Sequence, residues 1–224
     1  MMTPQPHSSI PLRLQDVSEA LQGPGYYWLA SDTTLDEFRQ VSNELGEVFY
    51  EADVRMGAER PRNYQLPAAI DFHTDHVSAE IAAWYCVEQD SSGGAMQFLD
   101  LAPVAARLSD DELAALSRVR VPDNAVWAEG GDIPLCTQNA DQCSFHYVPW
   151  LKLDALDDQA RTALQVFERH IAEAKTTSVI EVDLSPGELV FVDNHRIMHG
   201  RAAITSNSAR NLKRFWIRSE RKAA

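Results

Sequence analysis

Short β-forming runs recur along most of this chain, and helical patterns do not alternate with them one for one. The runs fall at 26–29, 81–87, 95–100, 144–148, 178–183, 188–192 and 212–217, several of them dense in β-branched and aromatic residues. A parallel α/β sheet needs a crossover helix between successive strands, so this layout predicts a sandwich or jelly roll instead. Three helical segments interrupt it. Leu35, Phe38, Val41, Leu45 and Val48 recur at intervals of three and four, with Thr34 and Glu37 placed as a capping box at the start. A second helix is expected over 110–117, with Ser109 as its cap and Glu112 at the third helical position. A third is expected over 156–174, burying Leu156, Ala163, Leu164, Phe167 and Ile171 along one face. Helices grouped early and late are expected to flank one face of the β-structure.

The 224 residues suit a single domain, 1–224, large enough to bury well over half of its unfolded surface. A formal net charge of −13 opposes binding to a nucleic-acid backbone or an anionic membrane. It leaves small anionic substrates open, because a few arginines set the potential inside a pocket. No stretch approaches a transmembrane span, and residues 1–10 carry no apolar core of a signal peptide. Cys86, Cys136 and Cys143 lack metal-site spacing and read as reduced thiols, which predicts a cytoplasmic protein.

The chemistry-bearing residues lie far apart. His73-Thr74-Asp75 offers an imidazole and a carboxylate two residues apart, on one side of a strand if the strand continues through them. His199 offers a second imidazole after the run Leu189–Val192 and a short polar turn. Pro186-Gly187 marks the tight turn before that run. Two histidines and one carboxylate make the facial set of non-haem iron(II) oxygenases, which leaves coordination positions open. Arg210, Arg214 and Arg218 follow at even spacing, so a continuous strand would turn all three to one side. A dicarboxylate calls for a planar, always-charged, bidentate partner, and guanidinium supplies it.

These pieces resemble the taurine dioxygenase and clavaminate synthase-like family of iron(II)/2-oxoglutarate-dependent oxygenases. The matching residues are Phe72-His73-Thr74-Asp75, Gly93-Gly94, Asp193-Asn194, His199-Gly200-Arg201, and the pair Arg210 and Arg214. The resemblance implies a mainly β fold with flanking helices, a double-stranded β-helix or jelly roll. It implies Fe(II) held by His73, Asp75 and His199, with molecular oxygen and 2-oxoglutarate as co-reactants. It also implies that Arg210 holds the distal carboxylate of 2-oxoglutarate and that Arg214 faces an acidic group of the substrate. Related halogenases carry a small residue where Asp75 stands, so the resemblance implies hydroxylation here. Relatives place a threonine on the cosubstrate where this chain has Met96, and Gln97 should face the opposite way. The chain is short for the family, which implies a small substrate or an open site.

Other polar residues are candidates for the substrate side. His146 lies on the expected strand 144–148, and Gln65, with Asn63 and Tyr64, precedes the His73 segment as a rim contact. Asn194 and His195, in the turn before His199, are expected to support the ligands, and His76 should face away from the ion. The expected partner is a small molecule, anionic or amino-acid-like, with no nucleic acid and no membrane. Two other readings fit parts of the pattern. A cupin-like iron enzyme without 2-oxoglutarate would leave Arg210 idle, and a non-catalytic small-molecule-binding β-sandwich would make the histidines incidental.

Overall fold

The computed structural model describes residues 11–55, 66–89, 93–121, 133–139, 142–149, 156–205 and 208–219. The chain begins with α1 (Leu14–Gln22), β1 (Tyr26–Leu29), α2 (Leu35–Leu45), β2 (Gly46–Arg55), β3 (Ile70–His73), β4 (Ile81–Glu88) and β5 (Met96–Asp100). There follow α3 (Ala102–Ala105), α4 (Asp110–Leu116), and the short strands β6 (Arg120–Val121), β7 (Ile133–Pro134), β8 (Cys136–Gln138) and β9 (Cys143–Phe145). The last elements are α5 (Asp158–Thr177), β10 (Ile180–Val182), β11 (Leu189–Asp193), β12 (Ile197–Arg201) and β13 (Asn211–Ser219).

Two larger antiparallel sheets organise the molecule, one in the order β1-β11-β4-β13-β2 and the other β10-β5-β12-β3. The order resembles that of a double-stranded β-helix, with β11 and β12 joined by a tight turn yet lying in different sheets. Apolar residues from both sheets meet between them, among them Trp84, Cys86, Met96, Phe98, Val190, Ile197, Leu212 and Trp216. The outer face of the five-stranded sheet is covered by Val17 and Leu21 of α1 and by Phe38 and Val41 of α2. On the outer face of the four-stranded sheet, α4 and α5 pack Leu113, Leu116, Leu164, Phe167 and Ile171 against Phe72, Leu99 and Met198. Helices therefore cover both outer faces rather than one, and the architecture is mixed α and β. The grouping in sequence is real, but each group serves a different sheet.

Both expected capping boxes form, Thr34 with Glu37 and Ser109 with Glu112. The first helix is shorter than its periodicity suggested, because it stops at Leu45 and Val48 belongs to β2. Gly46 causes the change of direction. A Cβ there would lie 2.2 Å from the Arg218 carbonyl oxygen, so only glycine lets β2 start against the end of β13. The expected strand 144–148 is cut to Cys143–Phe145; beyond it the His146 N–H donates to Leu135 O at 2.9 Å. Arg218 keeps the parity of the inward row, since Phe215 and Ile217 both face the outer helices, but it stands near the end of β13, away from the other two arginines. Its guanidinium sits at the rim, 2.7 Å from Glu47 Oε2 and 4.9 Å from the Phe49 ring.

Candidate metal centre and active site

His73 and His199 are direct partners across the β3–β12 ladder, which puts both imidazoles on the same side of the four-stranded sheet. Phe72 and Met198, one residue earlier on each strand, point the other way into the helical layer. The rings lie 4.4 Å apart between centroids. Trp84, from the facing sheet, packs against His199 in a T-shaped contact with ring centroids 4.8 Å apart.

Asp75 arrives by a different route from the one the alternation rule suggested. The strand ends at His73, and Thr74 turns into the interior, its N–H donating to Tyr147 O at 2.9 Å. Its hydroxyl accepts the Tyr147 N–H at 3.0 Å. The Asp75 N–H then donates to Asn194 Oδ1 at 2.7 Å. Asn194 is fully buried, and its amide nitrogen donates to Ala79 O at 2.8 Å and His76 O at 3.3 Å. One side chain thus ties the Asp75 loop to the turn between the two sheets. His195 supports the same loop, with its Nε2 donating to Val77 O at 2.9 Å. His76 is buried with its ring 5.5 Å from that of Trp216, and its Nδ1 accepts the Ser78 N–H.

The donor atoms of His73, Asp75 and His199 all lie within 4.8 Å of one another. His73 Nε2 is 3.9 Å from Asp75 Oδ1, and His199 Nε2 is 3.5 Å from Asp75 Oδ2. Adjacent ligands on one ion with bonds of about 2.1 Å stand about 3 Å apart, so the set closes on a metal by side-chain adjustments of about 1 Å. The ring orientation of His73 suits this. Its Nδ1 lies 2.8 Å from Asp71 O, an acceptor only, so Nδ1 carries the proton and the Nε2 lone pair faces inward.

The electrostatics match the donor set. Burial pushes His73 down to about 4, the nearby His199 ring adds to this, and Asp75 offsets only part of it. Burial alone would raise Asp75, but the Arg214 guanidinium first, then His199 and His73, hold its carboxyl far below the usual carboxylate range. At neutral pH the cluster therefore presents a neutral His73 and an ionised Asp75, the forms a divalent cation needs.

Arg214 Nη1 sits 3.3 Å from Asp75 Oδ1 and 3.5 Å from Oδ2. Trp216 Nε1–H donates to Oδ2 at 2.7 Å. Both come from β13 in the opposite sheet. Leu212, Arg214 and Trp216 occupy its inward row, and Arg210 stands at the head of that row beside Cys86. Arg210 and Arg214 are 4% and 8% exposed. The Gly93-Gly94 turn lets Arg210 in, since a Cβ on Gly94, at φ 86°, would meet Ile204 Cδ1 at 2.7 Å and Arg210 Cδ at 3.2 Å. Met96 is buried in the core between the sheets, and Gln97 points outward to Glu181, as the alternation predicted. Arg201 is buried too, but it holds the backbone carbonyls of Leu66 and Ala68.

His146 is buried with its ring 4.8 Å from His195, edge to face, and burial followed by the His195 charge lowers it to about 3. It stands behind the turn that carries Asn194. Gln65, Asn63 and Tyr64 lie outside the described residues. Sequence reasoning missed Trp216 and Trp84, because an aromatic residue on a strand reads as core; both are core and also touch the cluster. A cleft of about 740 Å³, lined by Glu80, Gln142, Cys143, Ser144, Asp193 and His195, includes none of the three clustered residues. The donor set, not cavity size, locates the chemistry.

Two imidazoles and one carboxylate gathered at one end of a pair of antiparallel sheets are the arrangement of the two-histidine, one-carboxylate class of non-haem iron protein. The taurine catabolism dioxygenase TauD, TfdA family matches residues 14–216, and the chain belongs to it. Similar solved structures include asparagine oxygenase, at 17% identity over 92% of this chain and 78% of that chain, with a TM-score of 0.72. The non-heme iron oxygenase OrfP in complex with Fe, succinate and (3S)-hydroxy-L-Arg matches at 16% identity over 94% and 82%, with a TM-score of 0.73. PvcB, an Fe, alpha-ketoglutarate dependent oxygenase from an isonitrile synthetic pathway, matches at 18% identity over 92% and 80%, with a TM-score of 0.66. At these identities the likeness is one of fold. No curated protein matches the sequence.

Proposed function

We propose that this chain, as a single double-stranded β-helix domain, is a cytoplasmic iron(II)- and 2-oxoglutarate-dependent oxygenase. Its substrate is a small carboxylate-bearing compound, an amino acid or a relative of one, which it hydroxylates. Iron(II) would be held by His73 Nε2, His199 Nε2 and the Asp75 carboxylate, and with 2-oxoglutarate it supplies the activation of molecular oxygen.

The observation that carries this reading is the charge of the site. A divalent cation, one carboxylate and the guanidinium groups of Arg210 and Arg214 sum to three positive charges, all of them buried. Positive charge gathered in an interior favours anions as ligands. A dianionic oxo acid answers two of the three, and the carboxylate of the substrate faces the remaining guanidinium. Arg210 then takes the distal carboxylate of the oxo acid by a bidentate contact. Arg214, anchored on Asp75 through Nη1, presents its fork toward the second anion. Met96 brings no hydroxyl, which leaves the distal carboxylate more dependent on Arg210 than a threonine would.

The other residues orient and protect. Asn194 fixes the Asp75 backbone, Asp71 O fixes the His73 ring, and Trp84 shields one side of His199 from water. The choice of an amino-acid substrate is supported by asparagine oxygenase and OrfP, whose structures carry 3-hydroxyasparagine and (3S)-hydroxy-L-Arg. The acidic balance of the chain and the lack of any described helix long and apolar enough to cross a membrane favour a small-molecule partner.

Iron-loaded protein, given oxygen, 2-oxoglutarate and a panel of amino acids, should release succinate faster with its substrate present, and Asp75→Ala should abolish the release. Oxidation that proceeds without any oxo acid would favour the cupin-like reading. A protein that binds no divalent metal would favour the non-catalytic sandwich.

A further inference from the structure

The indole of Trp216 is buried in the core between the sheets and donates to the same carboxylate oxygen that lies 3.5 Å from His199 Nε2. Indole nitrogen can only donate, so this contact has one polarity. The ring cannot swing away. Trp216 is the direct cross-strand partner of Tyr50 and is stacked on it at 4.3 Å and 28°. The Arg214 guanidinium lies 4.7 Å from its centroid, and the rings of His76 and Phe49 approach at 5.5 and 6.2 Å. A cation over the ring withdraws electron density and makes the N–H a stronger donor. The register shift beside Trp216 skips Phe49 of β2, and the rings of Phe49 and Tyr50 both pack on the inner side around Trp216.

We propose that Trp216 is a positioning residue that limits Asp75 to coordination through one oxygen. This rests on the reading of His73, Asp75 and His199 as metal ligands. With Oδ2 tied to a rigid indole at 2.7 Å, the carboxylate cannot rotate to give both oxygens to the ion. Oδ1, whose described contacts are the longer ones to Arg214 Nη1 at 3.3 Å and His73 Nε2 at 3.9 Å, is the oxygen left for the metal. One-oxygen coordination matters because three protein donors leave three of six positions for the oxo acid and one further ligand. A carboxylate bound through both oxygens would take one of those three.

The test uses Mn(II) in place of iron and needs no turnover. Exchangeable waters on protein-bound Mn(II) are counted from the broadening of its electron paramagnetic resonance lines in ¹⁷O-enriched water, and 2-oxoglutarate binding to the Mn(II) protein is measured by calorimetry. Trp216→Phe is expected to carry one water fewer than wild type and to bind 2-oxoglutarate about tenfold more weakly. Incorporation of 3-benzothienylalanine at position 216 replaces the N–H by sulfur while keeping the bicyclic ring and its stacking. It should reproduce both changes, which separates the hydrogen bond from the packing of the ring. Wild-type water count and oxo-acid affinity in the benzothienyl protein overturn the proposal, and leave the oxygenase reading standing. Wild-type protein that binds no Mn(II), or binds it undiminished in Asp75→Ala, overturns both.

Discussion

Asn194 makes the most demanding prediction, because one buried side chain satisfies three backbone groups on the loop that carries Asp75. Asn194→Ala removes the acceptor of the Asp75 N–H at 2.7 Å and the donor to Ala79 O at 2.8 Å. It also removes the longer bond to His76 O, which still receives the Ala79 N–H at 2.9 Å. Two buried backbone groups therefore lose their partner. Each orphaned group costs about 1–3 kcal/mol, and a water entering the small cavity recovers part of it, so the expected loss is about 2–5 kcal/mol. Asn194→Asp sharpens the test. It keeps the shape and the acceptor for Asp75 but sets a carboxylate oxygen against two carbonyl oxygens, so at pH 7 it should destabilise at least as much. Urea denaturation of the metal-free proteins measures both, and Mn(II) affinity should fall about tenfold or more as the carboxylate loses its anchor. If both variants lose less than 1 kcal/mol with the slope unchanged, the account of how the loop is held is wrong.

Other expectations follow from single observations. Gly94→Ala drives a Cβ into Ile204 and the Arg210 stem at a backbone φ of 86°, so 2-oxoglutarate affinity measured by calorimetry should drop well beyond any change in Mn(II) affinity. Phe38 is fully buried, with the rings of Phe215, Phe191 and Tyr85 at 4.8, 5.3 and 5.6 Å. Phe38→Ala should cost about 3–5 kcal/mol in urea denaturation yet leave Mn(II) affinity intact, because it lies on the far side of the five-stranded sheet. Metal-free protein should lose stability as acid is added. Burial lowers His73 to about 4 and His146 to about 3, so both stay neutral in the fold while the unfolded chain takes up protons below about 6.5. The stabilisation is complete above pH 6.5 and declines as pH falls toward 4, by on the order of 2 kcal/mol from each histidine at pH 4.5. A flat denaturation midpoint between pH 7 and 5 would contradict this.

Much of the architecture could be read from residue patterns, and the exceptions have physical causes. The strand at 26–29 and those near 81, 95, 189 and 212 are buried on both sides or on one, and burial writes a strong apolar signal. The strand β2 was hidden because Leu45 and Val48 happen to fall three apart, and only contact with the Arg218 carbonyl reveals what Gly46 is for. The helix α1 was overlooked, although Leu14, Val17 and Leu21 carry a helical period that pattern reasoning can find. At the site, the two histidines and Asp75 were legible from residue type and spacing. Strand alternation accounts for only part of how His73 and Asp75 come together, since Asp75 stands beyond the strand and is set by Asn194 and Thr74. The grip of Trp216 and Arg214 on Asp75 was out of reach, because it depends on which strand of the facing sheet lies opposite the loop. Even spacing puts Arg218 on the face of Arg214, and its position near the end of the strand leaves it at the rim, paired with Glu47.

The central claim is that His73, Asp75 and His199 form one metal site whose anionic chelator is gripped by Arg210. Calorimetric titration of 2-oxoglutarate into the protein, with and without saturating Mn(II), tests it directly. One Mn(II) per chain should bind in wild type and be lost in His199→Ala, and 2-oxoglutarate should bind tightly only to the Mn(II) form. Arg210→Met should keep the metal but weaken the oxo acid by about a hundredfold, in line with the loss of a charge-assisted bidentate contact. Metal binding that survives His199→Ala, or oxo-acid affinity unchanged in Arg210→Met, would contradict the account.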